Sequence, residues 1–223
     1  MRIIAPSELI INGDGSIFHL HLKPGQLADT VILVGDPGRV EQVAAYFDSV
    51  ECRAENREFV AVTGECFGKR MTVQSTGIGT DNIDIVVNEL DALAISTSDH
   101  RKAENAADIG GSGPRRHQPR LRIDLVLSRI SAGFDGLLNF YKGRNAVCDL
   151  EMEQDFVEHT GWSRLLTAPY FVRCSDRLAE LFADRTVEGM TISAPGFYAP
   201  QGRFLRLSPA DPSLNGKIES FEY

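Results

Sequence analysis

Apolar residues along this chain change their spacing abruptly, and each change marks the edge of an element. Residues 30–34 (TVILV) form an unbroken, β-branched apolar run, the pattern of a strand covered on both faces, and Gly35-Asp36-Pro37-Gly38 ends it. From about Arg39 the period lengthens. Val40, Val43, Ala44 and Phe47 recur at helical spacing and predict an amphipathic helix that packs one face. Residues 57–64 and 71–76 are β-rich and are separated by a turn around Phe67-Gly68-Lys69, which predicts a hairpin. The second run enters Gly77-Ile78-Gly79, and Ile83, Val86, Val87 and Leu90 then predict a helix capped by Thr80 or Asp81.

Elsewhere the pattern is weaker. Residues 17–22 (IFHLHL) alternate and predict a short extended segment with His19 and His21 on one face. Residues 95–120 have no apolar period and, dense in charge, glycine and proline, read as loop or disorder. Beyond it, residues 121–127 predict a strand, 155–159 a helix, 169–174 an extended stretch, and 176–185 a helix with Leu178, Leu181 and Phe182 inward. A strand at 187–193 leads into a loop, 194–203 (APGFYAPQGR), and residues 214–223 read as the entry to a strand or helix. Strands alternating with helices predict an α/β chain.

Composition narrows the choices. The 223 residues, 43% hydrophobic and 24% charged, suit one sizeable domain over 1–223 with no membrane span. The opening residues lack the form of a secretory signal, so a cytoplasmic location is the expectation. Cys52, Cys66, Cys148 and Cys174 are far apart with no Cys-x-x-Cys pair, which suggests reduced, mostly buried thiols and no metal site. A net charge of −8 argues against broad nucleic-acid binding but admits small anions at local arginines.

Three places carry candidate chemistry. Gly35 and Arg39 flank a helix start, where unpaired N–H groups and a guanidinium suit a phosphate; the same residues also read as an ordinary turn. Gly77-Ile78-Gly79 lacks the third glycine of a dinucleotide fingerprint, yet two strand, glycine-loop and helix units would aim both helix starts at one sheet edge. Phe197, Tyr198, Gln201 and Arg203 share a loop that can stack on and hydrogen-bond a planar heterocycle, or serve as a rigid surface loop. The group Arg115, Arg116, His117 and Arg120 reads as a solvated charge run, and His19 by itself as a packed or exposed histidine.

Taken together, FHLHL at 18–22, VGDPGRV at 34–40, NREF at 56–59, STGIGTDN at 75–82 and FYAPQGR at 197–203 resemble the nucleoside phosphorylase family, nearest to bacterial-type uridine phosphorylases. The resemblance implies a single-domain, three-layer α/β/α sandwich around a central mixed sheet, assembled as a homodimer or hexamer. It implies cleavage of uridine by inorganic phosphate to uracil and ribose 1-phosphate, with neither metal nor organic cofactor. By the same resemblance Gly35 and Arg39 match the phosphate loop, Arg57 an arginine lent to the phosphate site across a dimer interface, and Thr76 and Gly77 the next turn around phosphate and sugar. His19 matches a histidine reaching the ribose of the neighbouring subunit, Phe197 lies against sugar and base, and Gln201 with Arg203 reads uracil. Arg203 and Arg39 are then the catalytic candidates.

Two departures temper that expectation. Asp108-Ile109-Gly110-Gly111-Ser112-Gly113 stands where the family carries Arg-x-Gly-Thr-x-Gly, so a carboxylate replaces a phosphate-binding arginine. The family's Met-Glu-x-Glu segment follows the base loop, whereas Glu151-Met152-Glu153 precedes it and reads as an ordinary polar helix or loop; the fold is therefore expected to be C-terminally incomplete. Weak or absent turnover is the expectation. A non-catalytic homologue keeping part of the fold and its subunit contacts, and a purine nucleoside phosphorylase, are the alternatives.

Overall fold

The computed structural model describes residues 9–97 and 125–222. They fall in two compact units, Met1–Gly110 and Gly111–Tyr223, each built on its own mixed sheet. The α/β class expected from the sequence is what the chain adopts.

In the first unit the strands are β1 (Thr30–Val34), β2 (Ser49–Asn56), β3 (Phe59–Cys66) and β4 (Lys69–Ser75), in the order β1-β4-β3-β2. β1 runs parallel to β4, and the other neighbours are antiparallel. The helices are α1 (Pro37–Ala44) and α2 (Thr80–Thr97). Alternation along β3 decides the layering: Val62 packs with Val73 against Val40 and Ala44 of α1, while Phe59 and Ala61 pack with Val86 and Leu93 of α2. A sheet buried on both faces needs such near-continuous apolar strands.

Differences from the sequence expectation have local causes. α1 starts two residues before Arg39, because the Asp36 side chain accepts a hydrogen bond from the Gly38 N–H at 2.8 Å and Pro37 suits the first turn. β2 carried no signal, since its residues are mostly exposed and polar at the sheet edge. Residues 17–22 are not extended. The Ile17 N–H reaches the Leu22 carbonyl at 2.8 Å, and the doubled-back segment buries Ile17, Leu20 and Leu22. His19 is consequently part-buried and His21 exposed, so they do not share a face. α2 continues to Thr97, through the start of the expected loop; the remainder of 95–120, with Asp108 and the Arg115 cluster, lies outside the described residues.

The second unit holds β5 (Leu125–Gly133), β6 (Tyr170–Arg173) and β7 (Thr186–Ser193) in the order β6-β5-β7, with β5 antiparallel to β6 and parallel to β7. Its helices are α3 (Arg144–Val147), α4 (Leu150–Thr160), α5 (Asp176–Phe182) and α6 (Leu214–Glu219). α4 begins five residues earlier than expected because Asp149 caps the Met152 N–H at 3.1 Å. It buries Met152 and Phe156 among Ala132, Phe134 and Phe171. Glu153 pairs with Arg144 at 2.6 Å, which accounts for the Glu151-Met152-Glu153 run as helix structure. On α5 the small Ala179 is buried, whereas Leu181 and Phe182 point outward at 66% and 41% exposure, against expectation. The four cysteines are free and half-buried, and burial pushes the Cys148 thiol up from its ordinary range. Among the described residues no helix is long and apolar enough to cross a membrane.

Candidate functional site

In the first unit, the parallel pairing of β1 with β4 brings their carboxyl ends together, with Val34 opposite Ser75. The turns that follow are tied across this end, since the Thr76 N–H donates to the Val34 carbonyl at 2.8 Å. A Cβ added to Gly35 would stand 3.7 Å from the Gly77 carbonyl oxygen, ordinary contact distance. Both helices start here, α1 after Gly35-Asp36 and α2 after Gly79, so the two strand, glycine-loop and helix units read in the sequence do meet at one sheet edge. Arg39 lies exposed in the first turn of α1, its guanidinium without a hydrogen-bond or ion-pair partner among the described residues. Thr76 is buried and its hydroxyl donates to the Gly77 carbonyl at 3.0 Å, so this Oγ1 is engaged within the loop.

Arg57 sits at the tip of the β2–β3 hairpin with φ +56°, in the left-handed region. The turn is stapled to the loop after β4. Ser75 Oγ donates to the Glu58 carbonyl and accepts from the Val60 N–H, each at 2.6 Å, and Asn82 Nδ2 donates to Glu58 Oε1 at 3.0 Å. Gly77, at φ +69°, has no room for a side chain: a Cβ there would fall 2.6 Å from Asn82 Nδ2 and 2.7 Å from Glu58 Cγ. Asn56 Nδ2 in turn donates to the His19 carbonyl at 2.9 Å. Bonds made by Asn56, Ser75 and Asn82 thus tie together the segments that carry His19, Arg57 and the Thr76-Gly77 turn.

In the second unit, β7 leads to a 3-10 turn, Ala199–Gln201, closed by Gly202 at φ 66°. The Arg203 N–H returns to the Tyr198 carbonyl at 2.9 Å, and this reversal lays the Arg203 guanidinium 4.0 Å from the centroid of the Phe197 ring. Gln201 Oε1 is buried without a hydrogen-bond partner among the described residues, an acceptor at a cost unless something binds it. Phe197, Gln201 and Arg203 are therefore gathered in one loop, as the sequence predicted. Asp135 lies just past β5, whose end pairs with the end of β7; it accepts from the Tyr170 hydroxyl at 2.8 Å, and its Oδ2 is buried with no partner among the described residues. Burial, then the Asp135 bond, pushes the Tyr170 phenol above its ordinary range.

Sequence reasoning missed the supporting residues Asn56, Glu58, Ser75, Asn82, Glu89 and Asp135. Glu89 did leave a signal: a carboxylate one turn from Val86 and beside Leu90 falls on the apolar face of α2, where an unpaired charge is expensive.

The profile of the Phosphorylase superfamily matches residues 29–213. The chain is 30% identical over 211 residues to uridine phosphorylase of Thermococcus kodakarensis, a match covering 93% of this chain and 63% of that protein. It is 38% identical over 115 residues to the DeoD-type purine nucleoside phosphorylase of Bacillus velezensis, covering 51% of this chain and 46% of the relative. The chain thus spans less than two thirds of the length of these curated relatives. Among solved structures, Trypanosoma brucei nucleoside phosphorylase, described as showing uridine phosphorylase activity, aligns with TM-score 0.76 and 27% identity over 96% of this chain and 78% of that chain. Purine nucleoside phosphorylase from Toxoplasma gondii shares the fold, at TM-score 0.59 and 19% identity over 94% of this chain and 72% of that one.

Proposed function

The chain belongs to the phosphorylase superfamily, and on that premise we propose that it binds uridine with inorganic phosphate and cleaves the glycosidic bond to give uracil and ribose 1-phosphate. The observation that carries this reading is the Gln201-Gly202-Arg203 turn, which holds a guanidinium stacked on Phe197 and, two residues before it, a buried amide oxygen with no partner among the described residues. A donor and acceptor pair of this kind suits the carbonyl and ring N–H edges of uracil. In the reaction a phosphate oxygen bonds to the anomeric carbon as the carbon–nitrogen bond breaks, and the electron pair leaves with the base. Arg203 stabilises the negative charge that gathers on the departing uracil.

Phosphate is assigned to Gly35, the start of α1, Arg39 and the Thr76-Gly77 turn, with Arg57 lent to this site by a neighbouring subunit. Arg39 and Arg57 are both exposed, with no side-chain partner among the described residues, and these cations and the helix starts favour a small anion. His19 is assigned to the ribose of a neighbouring subunit, so the reading includes assembly as a homodimer or hexamer. Positioning and electrostatics supply the catalysis, and no further cofactor enters the scheme.

Asp108, outside the described residues, stands where the family signature has arginine and would oppose phosphate. Uracil release from uridine is therefore expected to require phosphate but to be slower by roughly a hundredfold than with a full set of phosphate cations. A second reading, purine nucleoside cleavage, has support from the 38% identity to a purine enzyme over about half the chain. Calorimetry with uracil and hypoxanthine separates the two. Uracil should bind more tightly; equal or reversed affinity would remove the pyrimidine reading, and phosphate-independent uracil release would remove phosphorolysis.

A further inference from the structure

We propose that Glu89 is a positioning residue that holds the His19 imidazole with its proton on Nδ1 and its Nε2 lone pair available to a nucleoside hydroxyl. The inference rests on the reading of His19 as a sugar contact. Glu89 is 7% exposed on the inner face of α2, 70 residues along the chain from its partner. Its Oε1 lies 2.5 Å from His19 Nδ1. The same carboxylate accepts the backbone N–H of His19, at 3.2 and 3.3 Å to its two oxygens, and that of Leu20 at 3.0 Å.

That donor set fixes the direction of the side-chain bond. A carboxylate already accepting backbone N–H groups has no proton to give, so Nδ1 donates and, in the neutral ring, Nε2 is the acceptor. The backbone bonds do a second job. They pin the 18–20 turn to α2, while Phe18 packs edge-on to the ring at 4.8 Å and Phe59 at 6.3 Å between centroids. Asn56 then joins this turn to the hairpin tip that carries Arg57. Among the described residues Nε2 has no hydrogen-bond partner, so the ring offers a lone pair of fixed direction. A lone pair accepts from a hydroxyl and repels a phosphate oxygen, which assigns His19 to the sugar.

Nitrogen-15 NMR of the histidine side chains in the full wild-type chain reads the tautomer directly, with no variant required. His19 is expected as Nδ1–H; an Nε2–H ring in the wild type would overturn the proposal. Glu89→Gln keeps an acceptor for the backbone groups but offers the ring an N–H, so His19 should shift towards Nε2–H. By calorimetry that variant should bind uridine about tenfold more weakly, the loss of roughly one hydrogen bond. Binding of free uracil, which has no sugar, should stay within about twofold, whereas a merely structural defect would weaken both ligands. His19→Ala separates the two levels of the argument. If His19→Ala leaves uridine affinity unchanged, the sugar-contact reading falls; if it weakens uridine binding while Glu89→Gln does not, the role of Glu89 falls.

Discussion

Arg203→Ala should remove most of the affinity for uracil and slow phosphorolysis by about a hundredfold or more. A hydrogen bond from a charged group contributes about 1.5–3 kcal/mol where water is excluded, and a group aimed at charge developing in the transition state contributes at the upper end or beyond. The side chain is already oriented before ligand arrives: the Phe197 ring lies 4.0 Å away and the 3-10 turn fixes the backbone that precedes it. Little ordering entropy is then left to lose on binding. Arg203→Lys keeps a cation but loses the planar fork and its stacking, so an intermediate loss is expected. Calorimetry with uracil and the rate of uracil release from uridine measure both quantities. Unchanged values for the alanine variant would show that the loop faces away from the base.

The largest stability effect should come from Phe156→Ala, at about 3–5 kcal/mol. Phe156 is 1% exposed, and its ring centroid lies 5.5 Å from Phe134, 5.7 Å from Trp162, and 5.1 Å from both Phe171 and Phe221. Truncation removes one ring from four partners at once, losing transfer free energy and leaving a cavity that these stiff neighbours fill poorly. Against a total stability of about 5–15 kcal/mol, such a loss leaves the second unit marginal. Trp162, the single tryptophan, packs on the same ring and reports the denaturant midpoint by its fluorescence. A shift equivalent to less than about 1 kcal/mol would mean that the cluster is loosely packed.

How much was legible in the sequence follows from where each signal is stored. β1, β4 and β7 carry their apolar run, and their glycine and proline stops, in consecutive residues, and so were found within a residue or two. β2 was missed because an edge strand facing water has no need of apolar residues. Residues 17–22 were misread because the burial of Leu20 and Leu22 comes from a folded-back turn and not from a pleat. In the same way Gly35, Arg39, Phe197, Gln201 and Arg203 were visible as local motifs. The network behind them was not, since the bond from His19 to Glu89, or from Asn82 to Glu58, is created only by the packing of α2 on the sheet.

The hairpin tip has a bearing on laboratory evolution. Arg57 occupies a left-handed conformation, φ +56°, that glycine adopts more cheaply by about 1 kcal/mol. A library screened for heat resistance alone should therefore enrich Arg57→Gly, and each round would trade a proposed phosphate cation for a more relaxed backbone. Screening on ligand retention as well as melting temperature would hold the arginine in place, and the contrast between the two selected pools would measure what this position gives up in stability for its charge.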